Sequence, residues 1–393
     1  MSSLFLQGKA NSLLVLLGRG YRDSFQVAIL IEIDSFVGND CKGKLQSTLA
    51  AIARNEIVKN TCKICFFLSL FSFTWGETYA ASEGQLDRIF AAQIMPDFWS
   101  RGSSEYMITS DAKRLHYRKY YQPGQDKVLV ILPGRTESTW KFAEFIHDIK
   151  DLNFAVFILD HRGQGASERE VTDSNMGYIA DFSVYKDDLA LFMNTVIKPL
   201  GFKQHLALGH SMGANILALY MAEQQSVFAK AVVTSPMLDI NTAPLPSAAV
   251  AHLIASLACW LGMDKNYTLN SGPYQANEAF RGTTSEIRFR LFRQLRIARA
   301  AEQVGGASYR FAQKALEATQ TMRDQAEKLS TPLLMLQAGS DDVVLTGGQD
   351  FVCQHAKNCR KVVIPGALHE LHIETDRLRD VWLAEVRGFF TSP

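Results

Sequence analysis

The stretch Gly209-His210-Ser211-Met212-Gly213 sets one serine between two glycines, after a short apolar run at 205–208 and before a run of helical periodicity. The five letters alone are weak evidence, but between a strand and a helix they predict a nucleophile elbow. Glycines at both flanks let the backbone turn sharply and let helix and strand pass closely, so the hydroxyl of Ser211 stands at the carboxyl edge of a sheet. A serine hydroxyl becomes a good nucleophile only when a base removes its proton, and the base needs a carboxylate to orient it. After an elbow of this kind the expected chain order is serine, acid, histidine. His369, in Gly366-Ala367-Leu368-His369-Glu370, follows the last predicted strand and leads into the last predicted helix, where the base belongs. His372 lies further from the strand end and is the lesser candidate. The acid is expected after the apolar run 332–336, where Asp341 and Asp342 stand side by side. A tetrahedral oxyanion also needs two preorganised backbone donors. Met212 N–H is expected to be the first, and Arg135 N–H, in Pro133-Gly134-Arg135-Thr136, is the candidate for the second.

The elements that must position these groups are legible from residue 105 onward. Short β-branched runs at 127–132, 154–159, 205–208, 231–234, 332–336 and 361–364 alternate with amphipathic stretches at 178–196, 212–224 and 378–389. Alternation of this kind predicts βαβ units, hence an α/β fold with a mostly parallel sheet flanked by helices. It breaks over 241–328, which carries helical stretches and no convincing strand, as expected of an inserted helical cap. Thr283 followed by Glu286 predicts a capping box for a cap helix over 287–299. Apolar cap residues such as Leu253, Ile254, Trp260 and Leu261 are expected either to line an acyl tunnel or to form the core of the cap.

Composition bounds the partners. Across 393 residues the chain is 47% apolar and 21% charged, an ordinary globular balance. Its formal net charge of +1 provides no global field for nucleic acid. Basic residues do gather in the cap, at Arg281, Arg288, Arg290, Arg293, Arg296 and Arg299. They form either a solvated helix face or a local attraction for phosphate headgroups and anionic membrane surfaces.

The apolar run 64–75 has 12 residues, too few to span a bilayer. Lys59 and Lys63 precede it and Tyr79-Ala80-Ala81-Ser82 follows, the pattern of a signal peptide over 58–81 cleaved near Ala80 or Ala81, with a retained membrane anchor or a buried apolar helix as the alternative. Residues 1–57 are weakly patterned, and the expected native start lies near Val58. Export would permit a small disulfide between Cys353 and Cys359, subject to geometry. The pair Cys62 and Cys65 lacks the second half of a zinc site.

From about 107 to 390 the chain resembles the bacterial lysophospholipases and the related monoacylglycerol lipases. Besides the elbow, the resemblance rests on Asp160-His161-Arg162-Gly163-Gln164-Gly165-Ala166-Ser167, similar to the family's D-x-R-G-x-G-x-S turn, and on Phe182, Tyr185 and Asp188. In the cap, Ser235-Pro236-Met237-Leu238, Gly272-Pro273-Tyr274 and Thr284-Ser285 with Arg288 are similar to the lysophospholipase branch. Pro133-Gly134 stands where monoacylglycerol lipases have His-Gly. The resemblance implies an α/β-hydrolase domain over 82–393 and places the acid at Asp341, because the loop then reads Asp-x-Val-Val with Val343 and Val344. Asp160 and Arg162 are implied to brace the loop beside the nucleophile. The implied reaction is lysophospholipid hydrolysis through an acyl-enzyme, needing no metal or organic cofactor, with monoacylglycerol or a simpler carboxylic ester as the alternative substrate. Peripheral membrane contact and a place in the cell envelope go with that reading. A non-catalytic binding module of the same fold is the alternative of another class.

Overall fold

A computed structural model of the chain describes residues 80–277 and 281–393, together with three strands nearer the start. Those strands, β1 (Ser2–Lys9), β2 (Ser12–Arg19) and β3 (Val27–Glu32), pair antiparallel within a separate unit, Met1–Glu77. The signal segment expected at 58–81 lies outside the described residues except for Ala80 and Ala81. Ala81 is buried, and its carbonyl accepts a hydrogen bond from Arg288 at 3.1 Å.

The second unit is built on an eight-stranded sheet. Its strands are β4 (Ser103–Ile108), β5 (Arg114–Tyr120), β6 (Lys127–Leu132), β7 (Ala155–Leu159), β8 (Gln204–His210), β9 (Lys230–Thr234), β10 (Leu333–Ala338) and β11 (Cys359–Ile364). They lie in the order β11-β10-β9-β8-β6-β7-β5-β4, parallel throughout except for β5. The central strands read as unbroken apolar runs because both faces are covered. In β6, Val128, Val130 and Leu132 face one layer while Leu129 and Ile131 face the other.

The described helices are α1 (Glu83–Ile89), α2 (Met95–Arg101), α3 (Ala143–Asp148), α4 (Ser183–Phe192), α5 (Ser211–Glu223), α6 (Ala248–Trp260), α7 (Glu286–Ala298), α8 (Tyr309–Asp324), α9 (Thr346–His355) and α10 (Asp376–Thr391). Buried residues of α4 and α5 pack on one face of the sheet, and those of α3 and α10 on the other. A disulfide joins Cys353 at the end of α9 to Cys359 at the start of β11, with Cα atoms 5.4 Å apart.

The six apolar runs of the sequence are β6 to β11. Strands β4 and β5 were not anticipated because their buried positions include charged and polar residues that find partners only in the fold. His116 Nδ1 lies 2.8 Å from Asp160, and Arg118 donates to the carbonyls of Trp99 and Gly102 at 2.8 and 2.9 Å.

Three cap expectations need correction. Ser285, not Thr283, caps α7, accepting from Arg288 N at 3.1 Å, while the Thr283 hydroxyl donates to the Ile373 carbonyl at 2.7 Å. Leu253, Trp260 and Leu261 line neither a tunnel nor a core, being 67%, 80% and 59% exposed, whereas Ile254 packs on Ala255, Ala258 and Tyr309. Arg288 is neither on a solvated face nor free for a headgroup. It is fully buried, with Glu144 and Asp376 at 2.8 and 2.9 Å, and it fastens α7 to the core. Helix α7 also packs on the helices before the sheet, through Phe292 against Phe90 at 5.5 Å between ring centres.

Candidate active site

Ser211 is the first residue of α5, directly after β8, and its φ is +50°. A non-glycine residue rarely holds that conformation, which persists only where the surroundings impose it. A Cβ on Gly209 would lie 2.6 Å from Ala214 Cα, and one on Gly213 would lie 2.2 and 2.4 Å from the carbonyl oxygens of Leu132 and Pro133. The first turn of α5 is therefore pressed against the end of β6, which brings Met212 N–H beside the loop that follows.

Long-range folding brings Ser211, Asp341 and His369 together. His369 Nε2 lies 2.9 Å from Ser211 Oγ, and Nδ1 lies 2.8 Å from Asp341 Oδ2. The Asp341 carboxylate is buried and accepts from the amides of Val343 and Val344 at 2.9 and 3.0 Å, which fixes its direction. A carboxylate can only accept, so Nδ1 carries the proton and Nε2 is left as a lone pair facing the serine hydroxyl. The neighbouring Asp342 side chain is exposed, and its contribution to the loop is a carbonyl that accepts from Asn241 at 2.8 Å. His372 is buried, stacked on Phe142 at 5.0 Å, and does not face Ser211.

The loop after β6 is where the second oxyanion donor was expected. Pro133 has no N–H. Gly134 N donates to Glu137 Oε2 at 2.5 Å, Thr136 N to Gln164 Oε1 at 3.3 Å, and Glu137 N to the Gly134 carbonyl at 3.4 Å. From Pro133 to Glu137, Arg135 N–H is the amide that donates to no group of the described residues.

Sequence reasoning missed the residues that brace the site. Gln164 Nε2 donates to the Gly134 carbonyl at 2.7 Å, so this side chain, in the turn where Asp160 and Arg162 were expected to brace, clamps the oxyanion loop directly. Asp160 accepts from Thr139 N and Ala166 N at 2.8 and 3.0 Å. Arg162 instead grips Asp188 on α4 at 2.8 and 2.9 Å. Glu137 accepts from His210 Nδ1 at 3.1 Å and pairs with Lys141 at 2.8 Å, while His210 Nε2 lies 3.3 Å from the His369 carbonyl. Burial alone would pull the His210 imidazole down, but the charge and hydrogen bond of Glu137 hold it above the ordinary histidine value. Burial likewise pushes Glu137 up, and the positive charges of His210 and Lys141 outweigh it, drawing the carboxyl well down. This pair ties the oxyanion loop, the elbow and the histidine loop to one another. Glu374 does the same for the histidine loop and the cap, accepting from Leu368 N at 2.6 Å and Thr284 N at 2.9 Å. The signal for these residues was slight, because a lone acid or amide in a sequence does not name its partner.

The family described as serine aminopeptidase, S33 (Hydrolase_4) matches residues 123–376, a span that includes Ser211, Asp341 and His369. The chain belongs to the Hydrolase_4 family. Lysophospholipase L2 of Escherichia coli (strain K12) is 30% identical over 316 residues, covering 77% of this chain and 93% of that protein. Monoglyceride lipase of Homo sapiens is 28% identical over 272 residues, covering 68% and 84%. A soluble variant of monoglyceride lipase from Saccharomyces cerevisiae, solved with a substrate analog, superposes with a TM-score of 0.58 at 15% identity, covering 73% of this chain and 95% of that one. The architecture is that of the α/β-hydrolases. Among the described residues of this Hydrolase_4 member, no group of three or more His, Cys, Asp or Glu side chains is placed to hold a metal ion.

One pH effect follows from the D-x-R-G-x-G-x-S turn of this Hydrolase_4 protein. Burial pulls His161 down to about 4, against the Pro133 carbonyl 3.1 Å from its Nε2. Between pH ~6.5 and ~4 the unfolded chain therefore binds a proton that the folded chain does not, and stability falls as pH falls through that window. His161→Gln removes this cost while keeping a donor for Pro133. The stability difference between variant and wild type is expected to move by about 3 kcal/mol in the variant's favour between pH 7.5 and 4, measured by denaturant unfolding. Parallel profiles for the two proteins would refute it.

Proposed function

We propose that this protein is a serine hydrolase that releases a fatty acid from a lysophospholipid through an acyl-enzyme. The observation that carries the proposal is the alignment of Asp341, His369 and Ser211 through contacts of 2.8 and 2.9 Å, with the Arg135 amide left without an acceptor among the described residues. In the proposed reaction Ser211 Oγ attacks the ester carbonyl and its proton passes to His369 Nε2. Asp341 stabilises the imidazolium, and the amides of Met212 and Arg135 receive the oxyanion. Collapse breaks the bond to the glycerol oxygen, which takes the proton from His369. Water then repeats the cycle on the acyl-serine, and the proton returns to Ser211. Hydrolysis of a carboxylic ester is supported by the relatives, among which lysophospholipase and monoglyceride lipase names recur. The cap motifs favour a lysophospholipid over a monoacylglycerol.

The test is fatty-acid release by the full chain from lysophospholipids, monoacylglycerols and short nitrophenyl esters, with Ser211→Ala as the blank. Release that depends on Ser211 and favours lysophospholipids supports the narrow reading. Preference for another ester corrects the substrate, and no release from folded protein favours a binding module.

Peripheral membrane contact belongs to the same proposal, as does a place in the cell envelope. Among the described residues no helix is long and apolar enough to cross a membrane. Helix α6 instead exposes Leu253, Leu257 and Trp260, with Leu261 at its end. Apolar side chains projecting from one helix suit the interfacial region of a bilayer. Trp260→Ala is expected to weaken co-sedimentation with lipid vesicles about tenfold or more, on the scale of burying one large side chain. Unchanged sedimentation removes this face from the membrane reading.

A further inference from the structure

Between the residues that follow Arg135, those that follow His369 and the cap helix α7 lies an open cleft with ≈ 620 Å³ of empty space. Its rim holds Thr136 and Glu370, the residues that follow Arg135 and His369 in the chain. Its cations are Lys141, Arg281, Arg293 and Arg296, and Glu370 is the one acid among its lining residues. Glu370 is already satisfied by Lys141 at 2.6 Å, and Lys141 also pairs with Glu137. Arg281 and Arg293 have no ion-pair partner among the described residues. The basic character continues inward. Arg296 donates to the Val304 carbonyl and Arg135 to that of the next residue, Gly305, at 2.5 and 2.6 Å. The Nε of Arg135 is buried without a hydrogen-bond partner. Burial pulls that guanidinium down to about 10, and the charges of Arg296 and Arg281 add to the effect.

Two guanidinium groups without an ion-pair partner among the described residues, those of Arg281 and Arg293, favour an anion, and their planar forks match phosphate oxygens. The position selects which part of a substrate would bring that anion. His369 must protonate the leaving oxygen, so the leaving alcohol lies on the His369 side, where Glu370 borders the cleft. In a lysophospholipid that alcohol is a glycerophosphate, whose phosphate is only a few bonds from the leaving oxygen.

We propose that this cleft is a phosphate-binding site in which Arg281 and Arg293 hold the phosphodiester of the leaving headgroup. The proposal rests on the lysophospholipid reading for its substrate, and two independent measurements separate the two. The first is the ratio of kcat/KM for a lysophospholipid to that for the monoacylglycerol of the same acyl chain, in wild type and in Arg281→Ala/Arg293→Ala. The ratio is expected to fall about tenfold or more in the double variant. It is expected to be unchanged in Arg290→Ala, whose side chain pairs with Asp87 outside the cleft. An equal loss on both lipids, or an unaltered ratio, overturns the headgroup role. The second is calorimetric binding of sn-glycerol 3-phosphate and of inorganic phosphate to the full chain, which needs no turnover. Glycerol 3-phosphate binding that is weakened about tenfold or more in the double variant supports the site even where neither lipid is hydrolysed and the substrate reading fails. Equal, arginine-dependent binding of both probes with no change in the lipid ratio assigns the cleft to free phosphate and overturns the headgroup role. Binding that ignores both arginines overturns the site itself.

Discussion

Ser211→Ala is expected to lower fatty-acid release by about 10⁴- to 10⁶-fold while leaving the thermal midpoint near that of wild type. The size of the effect follows from the loss of the covalent intermediate. What survives is binding plus the Met212 and Arg135 amides, which polarise the carbonyl for a water that nothing holds in place. Stability should survive because alanine meets the same left-handed backbone at φ +50° that serine already occupies, and because the one hydrogen bond of the serine hydroxyl among the described residues is that to His369 at 2.9 Å. Labelling by a fluorophosphonate, present in wild type and absent in the variant, checks the nucleophile without assuming a substrate. Retained turnover by the alanine protein would remove the mechanism proposed above, and absent labelling of folded wild type would favour a binding module.

Asp341→Asn should cost about 10³- to 10⁴-fold in kcat, and Asp342→Asn less than about twofold. An asparagine at 341 can still accept from Val343 and Val344 through its carbonyl oxygen, because both bonds go to Oδ1. Its amide nitrogen then faces His369 Nδ1 and donates to it. The proton is forced onto Nε2, which can no longer take one from Ser211. Asp342 makes no such contact, and its exposed side chain is free to change. Kinetics on the two single variants decide the pair: a reversed order of effects would mean that the loop turns the other carboxylate inward during catalysis.

Some of this was readable in the linear chain because it is local. A strand buried on both faces is a continuous apolar run, so β6 to β11 were visible, and an elbow needs glycines at fixed positions, so Ser211 was visible with them. The order of serine, acid and histidine then limited the base to a short loop. Locality also explains the failures at α6, where helical periodicity showed an apolar face but not what covers it, and Leu253, Trp260 and Leu261 proved to face outward.

Charged and hydrogen-bonding partners were the part withheld. Arg288 looked like one of six similar cap arginines until the fold set it against Glu144, 144 residues away, and Asp376, 88 residues away. Gln164, Glu137, His210 and Glu374 looked like ordinary polar residues, yet together they fix the loops that carry the proposed oxyanion donor and base. The sequence alone determined the class of fold, the candidate nucleophile and its base, since those depend on periodicity and on backbone sterics within a few residues. The tertiary structure decided between Asp341 and Asp342 as the partner of His369. It also decided that Arg288 is spent on structure while Arg281 and Arg293 have no ion-pair partner among the described residues, because a charge is settled by the groups that folding places within about 4 Å of it.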